Sequence, residues 1–291
     1  MVGMGQLTFA IKNPKVTATE FWRERKVRQN PPFDTNGVNI HTRDWDVLLV
    51  LDACRYDVFE KHCEIDGDLR KVWSRGSTSE EWVRGNFVGD YDDLVIVATN
   101  PFYRELADEV GLRVHHFEWV EPDDEARELT DPERVTDRVL EVAAEYPEKR
   151  VLAHYMQPHA PYLGQTGQEI SFEREPLQKA ISRNGVSQEL VQKAYRENFE
   201  IVQEAIRPVI DAELGKTVIT ADHGELLGEP LLPNVGIAGF YGHPYGFQHE
   251  ILRTVPWHVV PTDQRRTIRD GSGSKIDSAD VGDQLEALGY L

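Results

Sequence analysis

The sequence predicts an α/β fold on a mostly parallel sheet covered on both sides, and three observations carry that expectation. Short runs rich in leucine and β-branched residues recur along the chain, segments with helical spacing separate them, and 291 residues with 40% apolar side chains suffice for one large core.

The first such run is Asp46-Val-Leu-Leu-Val-Leu, with no polar residue after Asp46, as expected of a strand buried on both faces. Others lie at 94–98, 151–156, 217–221 and 255–260, and shorter strands are expected at Lys71–Trp73 and Arg113–Phe117. Helical periodicity marks Arg55–His62, Pro132–Glu145 and a long stretch from Ser187 to Leu214. Residues 1–44 read as a lead-in arm with one short helix near Thr19–Gln29, and residues 45–291 as a single domain. The polar stretch Thr262–Ser278 reads as a mobile connection, and Ala279–Leu288 as a closing helix.

Acids outnumber bases by 50 to 32, for a net charge of −18, so the surface should repel nucleic acid and anionic membrane. This balance resembles that of halophilic archaeal proteins, with an ordinary acidic cytosolic protein as the alternative. Cys54 and Cys63 sit in a stretch that reads as helix, roughly 13 Å apart at the usual rise, too far for a disulfide. The opening MVGMGQLTFAIKNPKVTATEFW has no apolar run of signal-peptide length, and no transmembrane segment is evident later; a cytoplasmic location is expected.

In open α/β sheets reacting groups gather at the carboxyl ends of strands. Asp52 ends the first buried run, where a carboxylate must be compensated by hydrogen bonds or a cation. The run 217–221 leads straight into Asp222-His223-Gly224-Glu225, with Gly224 expected to allow a sharp exit. A carboxylate beside an imidazole suits Zn or Mn; the plainer reading is a capped turn with a surface histidine. In Gly76-Ser-Thr-Ser-Glu-Glu-Trp82, hydroxyls followed by Glu81 form a capping box, and one hydroxyl at that helix mouth is a candidate nucleophile. His159, in a Pro-rich loop, and His243 and His249, in Tyr241-Gly-His-Pro-Tyr-Gly-Phe-Gln-His249, are candidate binding groups, whereas His154 and His258 read as core. The polar segment from Leu163 to Ser187 is a candidate substrate wall.

In order, LDACRYD, GSTSEEW, HYMQPHAPY, TADHGELLGE and GHPYGFQHEILRTVPW resemble successive signatures of the alkaline phosphatase/sulfatase superfamily, nearest to sulfatase-like hydrolases and the lipoteichoic-acid-synthase type of phosphoglycerol transferase. The resemblance implies a three-layer α/β/α sandwich in which Asp52, a hydroxyl, Asp222 and His223 surround one divalent ion (Zn, Mn or Ca), while His159 and His243 approach the substrate. A second ion would draw on His159, His243 and His249. Thr78 is the favoured nucleophile, because it begins the capping box, with Ser77 and Ser79 open. Formylglycine chemistry is not expected, since no Cys-x-Pro-x-Arg is present. The implied activity is hydrolysis of a small-molecule or glycan phosphate or sulfate ester through a phospho-enzyme. The alternatives are transfer of a phospho-alcohol group in surface-glycan or lipid modification, or a non-catalytic member of the fold.

Overall fold

The computed structural model describes residues 32–123, 130–170, 177–231 and 239–278, together with Gly282 and Leu285. The expected helix near Thr19–Gln29 lies outside the described residues, as does most of Ala279–Leu288.

Among the described residues the elements are β1 Val47–Leu51, α1 Tyr56–His62, β2 Asp68–Trp73, α2 Ser79–Asn86, β3 Asp90–Ala98, α3 Phe102–Glu105, α4 Ala107–Val110, β4 Arg113–Trp119, α5 Pro132–Glu145, β5 Arg150–Tyr155, α6 Gln165–Glu169, α7 Leu177–Asn184, α8 Gln188–Asp211, β6 Thr217–Thr220, β7 Leu226–Glu229, β8 Phe240–Gly242, α9 Glu250–Arg253 and β9 Thr254–Val259. A two-residue strand, β10, follows at Ser274–Lys275. Among the described residues, eight strands form one sheet in the order β10-β4-β3-β5-β1-β6-β9-β2, and β7 pairs with β8 in a separate hairpin. The five strands β4, β3, β5, β1 and β6 run parallel, β9 is antiparallel to both β6 and β2, and β10 is antiparallel to β4.

Strand alternation produces the layers. From β1, Val47, Leu49 and Leu51 enter a core with Phe59 of α1, Val139 of α5 and Phe199 and Val202 of α8. Leu48 and Val50 enter a second core with Trp82 and Phe87 from the α2 region and Tyr103 of α3. Each such buried side chain contributes roughly 1.5–3 kcal/mol of hydrophobic stabilisation. The mostly parallel α/β/α architecture expected from the sequence is therefore the one found, with β1 at its centre.

Residues 32–44 lie against the sheet: Val38 N donates to Trp73 O, and Ile40 and Trp45 are buried. The stretch Thr262–Ser278 is an anchor, contrary to its expected mobility. Arg265 bonds to the buried carboxylate of Asp46, and the Arg266 guanidinium donates to the carbonyls of Ala143, Tyr146 and Lys149. A buried acid requires compensation, and the Arg265 side chain and the Arg266 amide, 3.1 Å from Asp46 Oδ2, supply it from a segment whose polarity looks like solvent exposure in the sequence. Cys54 precedes α1 and Cys63 follows it, and both are free thiols.

Candidate active site

Three strand ends converge on one buried space. Asp52 follows β1 and is fully buried. The next residue, Ala53, has φ +57°, a left-handed conformation uncommon for a residue with a Cβ, and it is held there from two sides. Its amide donates to Asp222 Oδ1 at 3.0 Å, and its carbonyl accepts from the Tyr195 hydroxyl of α8 at 2.7 Å. The turn thus carries Asp52 and binds Asp222 with one bend.

The capping box at 77–81 forms, and it separates the three hydroxyls. Thr78 is the N-cap of α2, its hydroxyl accepting from Glu81 N at 3.2 Å. Ser77 Oγ is engaged by the Glu81 carboxylate and by Pro244 O. Ser79, the first helical residue, points into the site: its Oγ lies 2.6 Å from Asp222 Oδ2, 3.1 Å from Asp52 Oδ2 and 3.3 Å from His223 Nε2. Of the three hydroxyls, Ser79 alone stands among the acids, where the sequence favoured Thr78.

Asp222 and His223 leave β6 as expected, but Gly224 is required for a different reason from the one inferred. A Cβ there would sit 2.1 Å from Ile251 O, and Gly224 N donates to Leu252 O, so close backbone approach demands glycine. His223 Nδ1 lies 2.9 Å from Gly224 O. Assigning the proton to that nitrogen leaves Nε2 as a lone pair facing Asp52 Oδ1 at 3.6 Å and Asp222 Oδ2 at 3.4 Å.

A second group lies beside the first, with the rings of His223 and His243 4.3 Å apart between centroids. His159 Nε2 and His243 Nε2 are 2.9 Å apart, and His159 Nδ1 contacts Ala160 O. Both imidazoles are held below the ordinary histidine range, chiefly by burial; for His243 the neighbouring His223 and His159 add to it. Burial thus favours the neutral imidazole, the form that ligates metals. Glu225 completes this group and was not singled out from the sequence. Its carboxyl is pushed well up by burial and by Asp52, with Arg55 opposing, and neither oxygen has a hydrogen-bond partner among the described residues.

Beneath the first group, Asn100 Nδ2 donates to Asp52 Oδ2 at 2.7 Å. His154, read as core from its place in a strand, has Nε2 3.4 Å from that same oxygen and 3.7 Å from Asp222 Oδ2, with Tyr103 Oη 3.1 Å from Nδ1. Burial raises the Asp52 carboxyl, but His154 and the imidazoles of His159 and His223 outweigh it and leave it below the usual carboxylate range. The signal for His154 was its position near the carboxyl end of β5, beside β1. His249 joins neither group; its Nδ1 caps α9, accepting from Ile251 N at 3.2 Å.

The donor set fits bound cations. Asp52, His154 and Asp222 form one group with ligand atoms close enough for an ion, and His159, Glu225 and His243 form another. Fully buried acids and lone pairs face one another here, and Asp52 Oδ1 and both Glu225 oxygens lack partners among the described residues. In a low-dielectric space, positive charge reconciles that arrangement.

No protein-family model matches the chain, and no curated protein matches it at a significant level. Parts of the architecture recur in solved structures. The soluble domain of lipooligosaccharide phosphoethanolamine transferase A from Neisseria meningitidis is 16% identical, over 74% of this chain and 75% of that one, with a TM-score of 0.49. The C-terminal periplasmic domain of EcEptC from Escherichia coli, in a complex with Zn, is 16% identical over 79% and 77%, with a TM-score of 0.44. Against the integral membrane form of the Neisseria enzyme the chain covers 87% of itself and only 57% of that protein, at 16% identity and a TM-score of 0.40. Each likeness is partial, with every score below one half. Among the described residues no helix is long and apolar enough to cross a membrane.

Proposed function

We propose that this chain is a cation-dependent enzyme acting on phosphate esters, with Ser79 as the nucleophile. The observation that carries the reading is the Ser79 hydroxyl, buried and within 3.3 Å of Asp222, Asp52 and His223 at once. A serine serving only to start a helix has no need of two carboxylates and an imidazole.

Asp52, Asp222 and His154, with Ser79 and His223 beside them, would hold one cation, Asn100 bonding to Asp52, and His159, Glu225 and His243 would hold a second. Mixed carboxylate and imidazole donors favour Zn or Mn over Ca, which prefers oxygen alone. Such ions neutralise charge on the non-bridging oxygens and ease ionisation of a bound hydroxyl.

The chain's own groups do the rest. The Ser79 proton is aimed at Asp222 Oδ2, 2.6 Å away, so Oγ can form a bond to phosphorus as the ester's leaving oxygen departs. His159 and His243, whose Nε2 atoms lie 2.9 Å apart beside His223, would with Glu225 hold a cation that offsets charge on that oxygen, which takes its proton from solvent. The acceptor then loses its O–H proton to solvent as its oxygen displaces Ser79 Oγ, which recovers its own proton from Asp222. Water as acceptor makes the chain a hydrolase; an alcohol makes it a transferase.

The test is a panel of aryl phosphomonoesters, phosphodiesters and sulfates with Zn or Mn, each with and without added alcohols. Turnover of a phosphoester that needs the cation and Ser79 is expected, and the products separate hydrolysis from transfer. Cation-independent turnover, or turnover of sulfates alone, would overturn the reading.

A further inference from the structure

The buried ion pair between Glu81 and Arg253 lies outside both groups of candidate ligands, yet it joins the segments that carry them. Glu81, on the first turn of α2, accepts from Ser77 N at 2.9 Å and from Gly246 N at 3.2 Å through Oε2, and from Arg253 Nη2 at 3.0 Å through Oε1. Arg253 Nε donates to Phe247 O at 3.0 Å, and its Nη1 reaches Arg75 O. Ser77 Oγ adds Pro244 O at 3.0 Å and receives Phe247 N at 3.3 Å. Residues 74–81, which end at the Ser79 helix, are thereby bolted to residues 244–247, which begin one residue after His243. Side chains of Glu81 and Arg253 are 1% and 2% exposed, so each charge depends on the other.

A capping box needs a glutamate that returns to its own helix start. Here the same carboxylate also binds a distant loop and an arginine, which stabilising one helix end would not require. Gly76 permits the crowding, since a Cβ there would fall 2.5 Å from Thr78 O and 2.6 Å from Trp82 N.

We propose that Glu81 and Arg253 are positioning residues that fix the distance between Ser79 and the His159–Glu225–His243 group, setting the rate of the chemical step and cation affinity at that second group. This rests on the proposed function for the identity of the two groups. Loss of the pair lets residues 244–247 shift away from α2, so the second cation and the hydroxyl fall out of register while substrate still binds.

The experiment compares the full-length parent chain with Glu81→Gln, Arg253→Lys and Ser77→Ala. Zinc is titrated against a competing chromophoric chelator, His243→Ala identifying the step that belongs to the second group, and kcat and KM are measured with an aryl phosphodiester. Glu81→Gln is expected to melt cooperatively, to lose at least tenfold in zinc affinity at the second step with the first step within threefold, and to lose at least tenfold in kcat with KM within threefold. Arg253→Lys, which keeps the charge but not the fork, should fall between it and the parent. A folded Glu81→Gln chain with both zinc steps and kcat within twofold of the parent overturns the proposal. Should Glu81→Gln fail to fold, Ser77→Ala decides by the same measurements: a smaller loss in the same two quantities supports it, and no change overturns it. If the parent binds zinc but turns over no ester, the proposed function fails and the zinc steps still judge the strut. If the parent binds no zinc, hydrogen exchange of the Tyr245, Gly246 and Phe247 amides in Glu81→Gln does so, faster exchange supporting the strut and unchanged exchange overturning it.

Discussion

Replacing Ser79 with alanine and, separately, Thr78 with alanine should separate chemistry from helix capping within two adjacent residues. Thr78 supplies one hydrogen bond, to Glu81 N, and its removal should cost about 1 kcal/mol, the usual worth of an N-cap. In a chain of this size that lowers the melting temperature by about 2–4 °C. Turnover should stay within about tenfold, because Ser79 keeps its own contacts. Ser79→Ala removes the donor shared by Asp222 and Asp52, a charge-assisted bond worth about 1.5–3 kcal/mol, so the metal-free chain should melt several degrees lower. Its effect on rate is of another order: without the hydroxyl no bond to phosphorus can form, and kcat should fall at least ~10⁴-fold, equivalent to roughly 5.5 kcal/mol of transition-state stabilisation. The assay is steady-state turnover of an aryl phosphodiester with zinc, alongside mass spectrometry of acid-quenched enzyme, where the added group should map to the peptide containing Ser79. A Ser79→Ala chain within tenfold of the parent, or a Thr78→Ala chain that loses ~10³-fold, would refute the assignment.

Gly224→Ala should destabilise the chain by several kcal/mol and abolish turnover, since its Cβ would meet Ile251 O at 2.1 Å and the backbone bearing His223 must move; a near-normal melting temperature with full activity would count against the packing described. His41 is partly buried and stacked on Tyr91 at 4.0 Å, and desolvation first, then Arg150, holds its pKa down to about 3. The unfolded chain therefore binds a proton at this site between about pH 6.5 and pH 3 that the folded chain does not, so this contribution to stability is full above pH 6.5 and is lost as pH falls toward 3. His41→Phe should flatten the decline of melting temperature between pH 6.5 and 4, and an unchanged slope would show that other groups govern it. His249→Ala should leave turnover within threefold and cost about 1 kcal/mol or less as a lost cap, whereas loss of bound zinc in that variant would return His249 to the site.

The fold was the more legible part. Runs such as Val47–Leu51 and Leu94–Ala98 are apolar at every position because both faces of the sheet are covered, and that continuity is visible without coordinates. The antiparallel placement of β9 is not, because direction depends on which neighbour the strand meets. Asp52, Asp222 and His223 were legible because polar residues that close apolar strands must be compensated. The hydroxyl register was not: three successive hydroxyls at a helix mouth differ only in the direction the turn gives each side chain. His154 was hidden because a histidine inside a strand looks like core until the neighbouring strand ends show what its face meets. Glu225 escaped notice since its burial follows from the return of residues 249–253 over Gly224, a contact made far along the chain. The anchoring of 262–278 was hidden likewise, by arginines whose partners lie more than a hundred residues away.

Crystals grown with zinc and measured on both sides of its absorption edge test the site most directly. Two anomalous peaks are expected, one within bonding distance of Asp52, Ser79, Asp222 and His223 and the other among His159, Glu225 and His243. Absence of any peak beside Asp222 and His223, with zinc in the crystal and those side chains ordered, would contradict the enzymatic reading.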